Sequence, residues 1–200
     1  MLSADEALTL LKEGNRRFAE NRMLHPNLNA DRRAQVAYRQ TPFAAVLGCS
    51  DSRVPAELVF DRGIGDLFVV RLAGNVVGPV GMASLEFAAE YLNVPLIVVL
   101  GHERCGAVQA AIDHVDNGTE YGGRLKELIN TIEPAVRGAT GVTPELRLEN
   151  AIKSNVARVA RELVHVTPAL SRHVADGKLK IVGAYCDLDT GEVEFFDPEI

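Results

Sequence analysis

The sequence predicts an α/β protein in which helices flank a mostly parallel β-sheet, with a helical arm at the N-terminus and an antiparallel strand pair at the C-terminus. Three observations support this class. Short apolar runs that stop at glycine, as strands buried on both faces do, recur along the chain. Helical patterns separate these runs, which favours parallel strands joined by crossover helices. The closing stretch KLKIVGAYCDLDTGEVEFF fits two strands joined near Asp189-Thr190-Gly191.

Size and charge limit the organisation of the chain. Its 200 residues, 47% of them hydrophobic, fit one well-filled core, so we expect a single domain over residues 1–200 with residues 1–40 as its helical arm. The formal net charge of -6 argues against nucleic acid or a membrane surface as a partner. The longest apolar runs are too short to span a bilayer and the N-terminus has mixed charge, so we expect a cytoplasmic protein without an export signal.

The helices are predicted from their starts and their periodicity. Ser3 to Glu6 fits a capping box, and apolar residues follow at helical spacing, which predicts a helix over residues 4–20. We expect a shorter helix at 31–39 and a crossover helix in GPVGMASLEFAAEYLN. Further helices are expected after Cys105, near 122–137, and after two Thr-Pro pairs that supply an N-cap and a first-turn proline, Thr143-Pro144 and Thr167-Pro168.

Three runs are predicted to be buried strands. They cover residues 43–48, 67–72 and 94–101. In open parallel sheets, ligands bind beyond the carboxyl ends of the strands. Cys49 and His102 follow two of these predicted ends, so we expect both side chains to face one crevice.

The cysteines indicate a metal site rather than disulfides. There are three, at 49, 105 and 186, an odd and sparse set for a chain with cytosolic character. His102 and Cys105 are three residues apart at the expected start of a helix, which would place both on one face, with Cys49 arriving from the other strand. Two thiolates and one imidazole suit Zn²⁺. We expect Cys186 to be a buried thiol, with a fourth metal ligand or redox group as the alternative.

A site with three protein ligands leaves the fourth zinc position open, as catalytic sites do. Zinc lowers the pKa of bound water to about 7, which indicates hydration or hydrolysis. Asp51 either binds the metal as the fourth ligand in a closed state or accepts a hydrogen bond from bound water. A bidentate contact with Arg53 would keep Asp51 ionised and away from the metal.

Three segments carry a family resemblance. CSDSRV at 49–54, FVVRLAGN at 68–75 and GHERCGA at 101–107 resemble, in this order and spacing, the β-class carbonic anhydrases. The resemblance implies zinc on Cys49, His102 and Cys105. It also implies an Asp51-Arg53 dyad that orients zinc-bound hydroxide for attack on carbon dioxide, with bicarbonate leaving and water replacing it.

The same resemblance implies a small substrate pocket and an oligomer. The pocket maps onto Gln40, Phe68, Ala73 and Phe87, with the backbone N–H of Gly106 near the bound anion. In the family this pocket crosses a subunit interface, so we expect at least a homodimer in which the arm, residues 1–40, packs on a partner subunit.

Some members of the family close the site by binding a second, non-catalytic bicarbonate. The positions concerned correspond to Val46, Arg71 and Cys186, which lack two of the three anion contacts. We therefore expect a site that is open by default.

Less specific interpretations stay beside these. Taken alone, Cys49 could be an ordinary core residue, and Asp51 and Arg53 could be a surface ion pair. His114 could be a surface histidine or a proton carrier. Two rival functions remain: a related zinc hydrolase of carbon disulfide or carbonyl sulfide, and a non-catalytic structural zinc module.

Overall fold

The computed structural model describes residues 2–198, in which a five-stranded sheet carries helices on both faces. Met1, Glu199 and Ile200, which the predicted domain includes, lie outside the described residues. The strand order is β2-β1-β3-β4-β5. The strands are β1 (Ala44–Gly48), β2 (Leu67–Arg71), β3 (Leu96–His102), β4 (Lys180–Cys186) and β5 (Val193–Phe196).

The first four strands are parallel and β5 pairs antiparallel with β4. This confirms the predicted fold class, including the antiparallel strand pair at the C-terminus. That the whole chain is a single domain stays a prediction.

Eight helices surround this sheet in the described residues. They are α1 (Ala4–Ala19), α2 (Ala30–Val36), α3 (Ala56–Val59), α4 (Pro79–Glu90), α5 (Gly106–Asn117), α6 (Gly123–Arg137), α7 (Pro144–Val166) and α8 (Pro168–Ala175). A short 3₁₀ turn, Ala73–Asn75, follows β2. The sequence predicted seven of the eight helices but neither α3 nor the 3₁₀ turn, since single turns are too short to show a period.

The two sides of the central strands belong to different hydrophobic cores. In β1, Ala44 and Val46 pack with α1, α5 and α6, whereas Ala45 and Leu47 pack with α4, α8 and the second half of α7. Both faces are therefore covered, as the continuous apolar runs predicted.

Two of the three predicted caps form. The Ser3 hydroxyl accepts a hydrogen bond from the Glu6 amide at 3.2 Å while the Glu6 carboxylate accepts one from the Ser3 amide at 2.7 Å, so the capping box is present. Thr143 caps α7 through the Leu146 amide. The prediction for Thr167 was wrong, because its hydroxyl donates to the Leu163 carbonyl of the preceding helix and leaves α8 without a side-chain cap.

The first helix of the predicted arm packs on its own chain. Ala7 and Leu11 are fully buried in the core. Asn15 donates to the carbonyls of Val59 and Gly191 and accepts from the Val193 amide. The helix α2, in contrast, has no buried residue. Packing of residues 1–40 on a partner subunit stays a prediction, and α2 is the helix of this arm that has no buried residue in its own chain.

None of the helices within residues 2–198 is both long and apolar enough to cross a membrane.

Asp61 joins α1 to the segment that follows it. Its carboxylate is almost fully buried and accepts from Arg17 Nε at 2.6 Å and from the amides of Leu24 and His25 at 3.0 and 2.9 Å. Burial works to raise the pKa of this carboxyl, but the three hydrogen bonds outweigh it and the pKa is lowered.

Asp61→Asn should therefore lower the free energy of unfolding at pH 7 by about 2 kcal/mol, the size expected when charged hydrogen bonds become neutral. Because the folded-state pKa is lowered, this stabilisation is full above about pH 4 and is lost as the pH falls further. Urea unfolding at pH 7 and pH 3 measures both values, with Asp31→Asn, an exposed acid, as control. A deficit of equal size at both pH values would contradict this role.

Candidate metal centre

Cys49, His102 and Cys105 converge at the carboxyl edge of the sheet. One ligand atom of each lies within 4.8 Å of the others, and all three residues are buried. Cys49 is the first residue after β1, His102 ends β3, and Cys105 is the N-cap of α5. The register that pairs Gly48 with Leu100 brings these ends together.

The route by which His102 and Cys105 meet differs from the predicted one. They do not share a helix face, because α5 begins only at Gly106. The chain turns after β3 instead, with Arg104 in the left-handed region at φ 52, which reverses its direction and returns Cys105 towards His102. The three-residue spacing therefore joins the end of a strand to the start of a helix, and the two ligands are not one helical turn apart.

The imidazole of His102 presents a free lone pair to the two sulfurs. Its Nδ1 lies 2.9 Å from the Glu103 carbonyl, and because a carbonyl only accepts, Nδ1 carries the proton. Nε2 then acts as an acceptor, and within residues 2–198 this buried atom has no hydrogen-bond partner. A buried acceptor without a donor is the expected state of a metal ligand.

The two thiols differ in how easily they ionise, because ionisation of one opposes ionisation of the other. The hydrogen bond from Cys105 lowers the pKa of Cys49 to about 4 against the effect of burial, and the amides of Asp51 and Gly74 add to this. The pKa of Cys105 is raised, since it would become a second anion beside the first. A divalent cation would allow both to ionise. This donor set of two sulfurs and one imidazole fits zinc.

Asp51 lies beside the cluster and is held by Arg53. Arg53 Nε and Nη2 donate to the two carboxylate oxygens at 2.9 and 2.7 Å, and its backbone N–H adds a third bond. This contact, above all, holds the pKa of Asp51 far below its usual value. Asp51 Oδ2 is 3.8 Å from His102 Nε2. An ionised carboxylate therefore lies beside the two buried sulfurs and the imidazole nitrogen that could bind a metal.

Arg71 has a role that the sequence did not reveal. Its Nε donates to the Cys49 carbonyl at 2.9 Å and its Nη2 donates to the Asp51 carbonyl. It thereby holds the loop that carries both residues. The feature that places Arg71 beside this loop is its pairing with Gly48, and that pairing is known only once β2 is known to lie beside β1.

The other two positions considered for a second bicarbonate are core residues. Val46 is fully buried, and the Cys186 thiol donates to the Asp187 carbonyl. Burial, with the nearby carboxylates of Asp187 and Glu103, raises the pKa of Cys186 to about 12. Cys186 is not a member of the Cys49 cluster in the described residues.

The predicted pocket residues lie in three places on this chain. Gly106 follows Cys105 directly, and Ala73 precedes the glycine whose amide contacts Cys49. Phe68 and Phe87 form a ring pair 6.4 Å apart, on β2 and α4. Gln40 lies on an exposed hollow that Tyr38 and Tyr91 also line.

Gln40 precedes β1, whereas Cys49 follows it. The five residues of that strand span about 16 Å. Gln40 is therefore at the opposite edge of the sheet from this chain's own cluster.

His114 is tied into the helical layer instead of reaching freely into solvent. Its Nδ1 lies 2.7 Å from the Thr119 carbonyl and its Nε2 is 4.0 Å from Glu133. A role of His114 in proton transfer stays the alternative prediction.

Known proteins are similar to this chain in sequence and in fold. A family model described as carbonic anhydrase matches residues 44–193. Carbonic anhydrase 2 of Mycobacterium tuberculosis is 43% identical over 188 residues, which cover 94% of this chain and 90% of that protein. A β-carbonic anhydrase structure from Coccomyxa, in complex with acetazolamide, has a TM-score of 0.73 at 25% identity and covers 94% of this chain and 85% of its own.

A third similarity is to one of two tetrameric β-carbonic anhydrases from Sordaria macrospora. That structure has a TM-score of 0.73 at 24% identity, and the match covers 82% of this chain and 84% of the other. The predicted resemblance is thus confirmed over most of the sequence. The chain belongs to the carbonic anhydrase family, and it is a carbonic anhydrase of the β class.

Proposed function

We propose that this enzyme catalyses the reversible hydration of carbon dioxide to bicarbonate and a proton, with zinc held by Cys49, His102 and Cys105. The observation that carries the proposal is the buried set of two sulfurs and one unpartnered imidazole nitrogen, with an ionised aspartate at its entrance. Zinc would supply a Lewis acid that yields a water-derived nucleophile near neutral pH.

Asp51 and Arg53 divide the work of orienting that nucleophile. As a carboxylate, Asp51 would accept a hydrogen bond from that water-derived nucleophile and so direct the attacking lone pair on its oxygen towards carbon dioxide. Arg53 occupies both carboxylate oxygens, which opposes movement of Asp51 onto the metal. This favours the open state over the closed state in which Asp51 is the fourth ligand.

The pocket is small, largely apolar and shared between subunits. Phe68, Ala73 and Phe87 would bound the space for carbon dioxide, and the Gly106 N–H would meet the anionic product. Gln40 lies a strand's length from its own cluster, so it would complete the pocket of a second copy.

A homodimer or larger homo-oligomer would explain the exposed aromatic rings near Gln40. Tyr38 is 101% exposed, Tyr91 is 73% exposed, and Tyr91 stacks on Phe87 at 5.2 Å. Exposed aromatic groups of this kind are enriched at protein interfaces. The relatives from Sordaria macrospora are described as tetrameric.

We place the enzyme in the cytoplasm. All three cysteines are free and buried. A reducing compartment would keep Cys49 and Cys105 available for metal.

Zinc content tests the ligand set. The wild type should bind one zinc per chain, whereas Cys49→Ser and Cys105→Ser should lose most of it because each removes a thiolate. Cys186→Ser is the matched control, a third buried cysteine whose loss should leave zinc unchanged. Elemental analysis of purified proteins measures this. Full zinc in Cys49→Ser, or its loss in Cys186→Ser, would refute the assignment.

Stopped-flow hydration with a pH indicator tests the dyad. Asp51→Ala and Arg53→Ala should each reduce kcat/KM by about a hundredfold or more, since the first removes the acceptor and the second removes the group that orients it. Arg147→Ala breaks another bidentate Arg-Asp pair, with Asp116, and should leave the rate unchanged. Faster turnover of carbonyl sulfide or carbon disulfide than of carbon dioxide would favour the hydrolase, and full zinc without any turnover would favour a structural module.

Sedimentation velocity tests the interface. Tyr91→Glu should shift the protein towards monomer, because a charge would be buried there without a partner. Val142→Glu changes another exposed apolar residue, 92% exposed on a loop before α7, and should sediment as the wild type does. Unchanged sedimentation of Tyr91→Glu would place the interface elsewhere.

A further inference from the structure

A fully buried amide interrupts the apolar face of α7. Asn155 has no exposed surface, and Ile152, Val156 and Val159 around it are buried apolar residues of the same helix. An amide without partners in such a place costs free energy, so its hydrogen bonds explain its presence there. One of those bonds connects Asn155 to Gly74, a residue that contacts the metal centre.

Both ends of the Asn155 amide are occupied. Nδ2 donates to the Gly74 carbonyl at 2.8 Å, and Oδ1 accepts from Arg158 Nη2 at 3.3 Å. Arg158 is itself held by Glu162 at 2.8 Å. Since a guanidinium only donates, Arg158 fixes the orientation in which Oδ1 faces it and the N–H faces Gly74.

Gly74 passes this restraint to a metal ligand. Its N–H donates to Cys49 Sγ at 3.3 Å. The residue has φ 63, a left-handed conformation, and a Cβ there would lie 2.8 Å from Ile132 Cδ1 and 3.2 Å from Ala107 Cβ. A side chain here would be strained and would crowd Ile132, so glycine suits this position, and Asn155 holds the Gly74 carbonyl from the side of α7.

We propose that Asn155 is a positioning residue for the metal centre: through Gly74 it aims a backbone N–H at the Cys49 sulfur and thereby strengthens the grip of that ligand on the metal. The proposal rests on the proposed zinc site. Groups that bond to metal ligands commonly change metal affinity 10- to 100-fold when they are lost, although they never touch the ion.

A merely structural role predicts something different. If Asn155 only joined α7 to the 3₁₀ turn, its loss would lower the stability of the metal-free protein, while the molecules that remain folded would bind zinc as before. Zinc affinity of the folded protein, measured by competition with a chelator, therefore separates the two roles.

Asn155→Asp is the sharpest variant, because it keeps the size of the side chain and the acceptor for Arg158 but removes the N–H that Gly74 needs. We expect the zinc dissociation constant to rise about 10- to 100-fold, and the sulfur-to-metal charge-transfer band of the cobalt-substituted protein to shift. Asn155→Leu, which removes both bonds, should behave in the same way.

Asn150→Asp is the matched control. Asn150 is on the same helix and also donates to a backbone carbonyl, that of Thr140 at 2.7 Å. It should keep wild-type affinity and spectrum. Wild-type affinity and spectrum in folded Asn155→Asp would overturn the proposal. If the wild type itself did not bind zinc, the proposed function would be refuted, independently of Asn155.

The wild type provides a measurement that needs no variant to fold. When it is loaded with a spin-half cadmium isotope, the Gly74 amide proton should show a scalar coupling to the metal across the Cys49 sulfur. Absence of that coupling would show that the Gly74 N–H does not bond to the metal-bound Cys49 sulfur, and it would overturn the proposal.

Discussion

The site depends on the parallel alignment of two neighbouring strands, β1 and β3. Their register pairs Gly48 with Leu100, so the residues that follow Gly48 and those that end β3 leave the sheet at the same edge. Cys49 and His102 are delivered there by buried strands with little freedom to move. A different strand order would separate these two ligands even though every local element was formed.

Charge then explains why this arrangement calls for a cation. Two buried sulfurs within 4.8 Å of one another oppose each other's ionisation, and the pKa values of Cys49 and Cys105 are accordingly shifted in opposite directions. His102 adds a lone pair without a donor. One divalent ion would resolve both difficulties together, so the same groups that make the metal-free site unfavourable would bind the metal tightly.

The second layer of the site holds its parts from three directions. Arg53 fixes Asp51, Arg71 fixes the loop that carries Cys49 and Asp51, and Asn155 fixes Gly74 from α7. Each of these groups donates to a backbone carbonyl or a carboxylate. Such contacts restrict the positions of the inner groups more than packing alone does.

Much of this could be predicted from the sequence, for physical reasons. Buried parallel strands are continuous apolar runs, and the motifs at their ends gave the donor set and the neighbouring dyad. What depends on contacts between distant segments could not be predicted. The turn at Arg104 replaced the expected helix face, and Thr167 donated to the preceding helix instead of capping the next one. The motif that contains Arg71 did not show that this side chain holds the loop of Cys49, and Asn155 has no periodic or motif signal.

X-ray absorption at the zinc edge of the zinc-loaded protein tests the central claim most directly, since it counts the atoms bound to the metal. We predict a first shell of two sulfurs, one imidazole nitrogen and one further light atom. A shell with no sulfur or one sulfur would show that Cys49 and Cys105 do not share an ion. Three sulfurs would bring in Cys186 and contradict the ligand set.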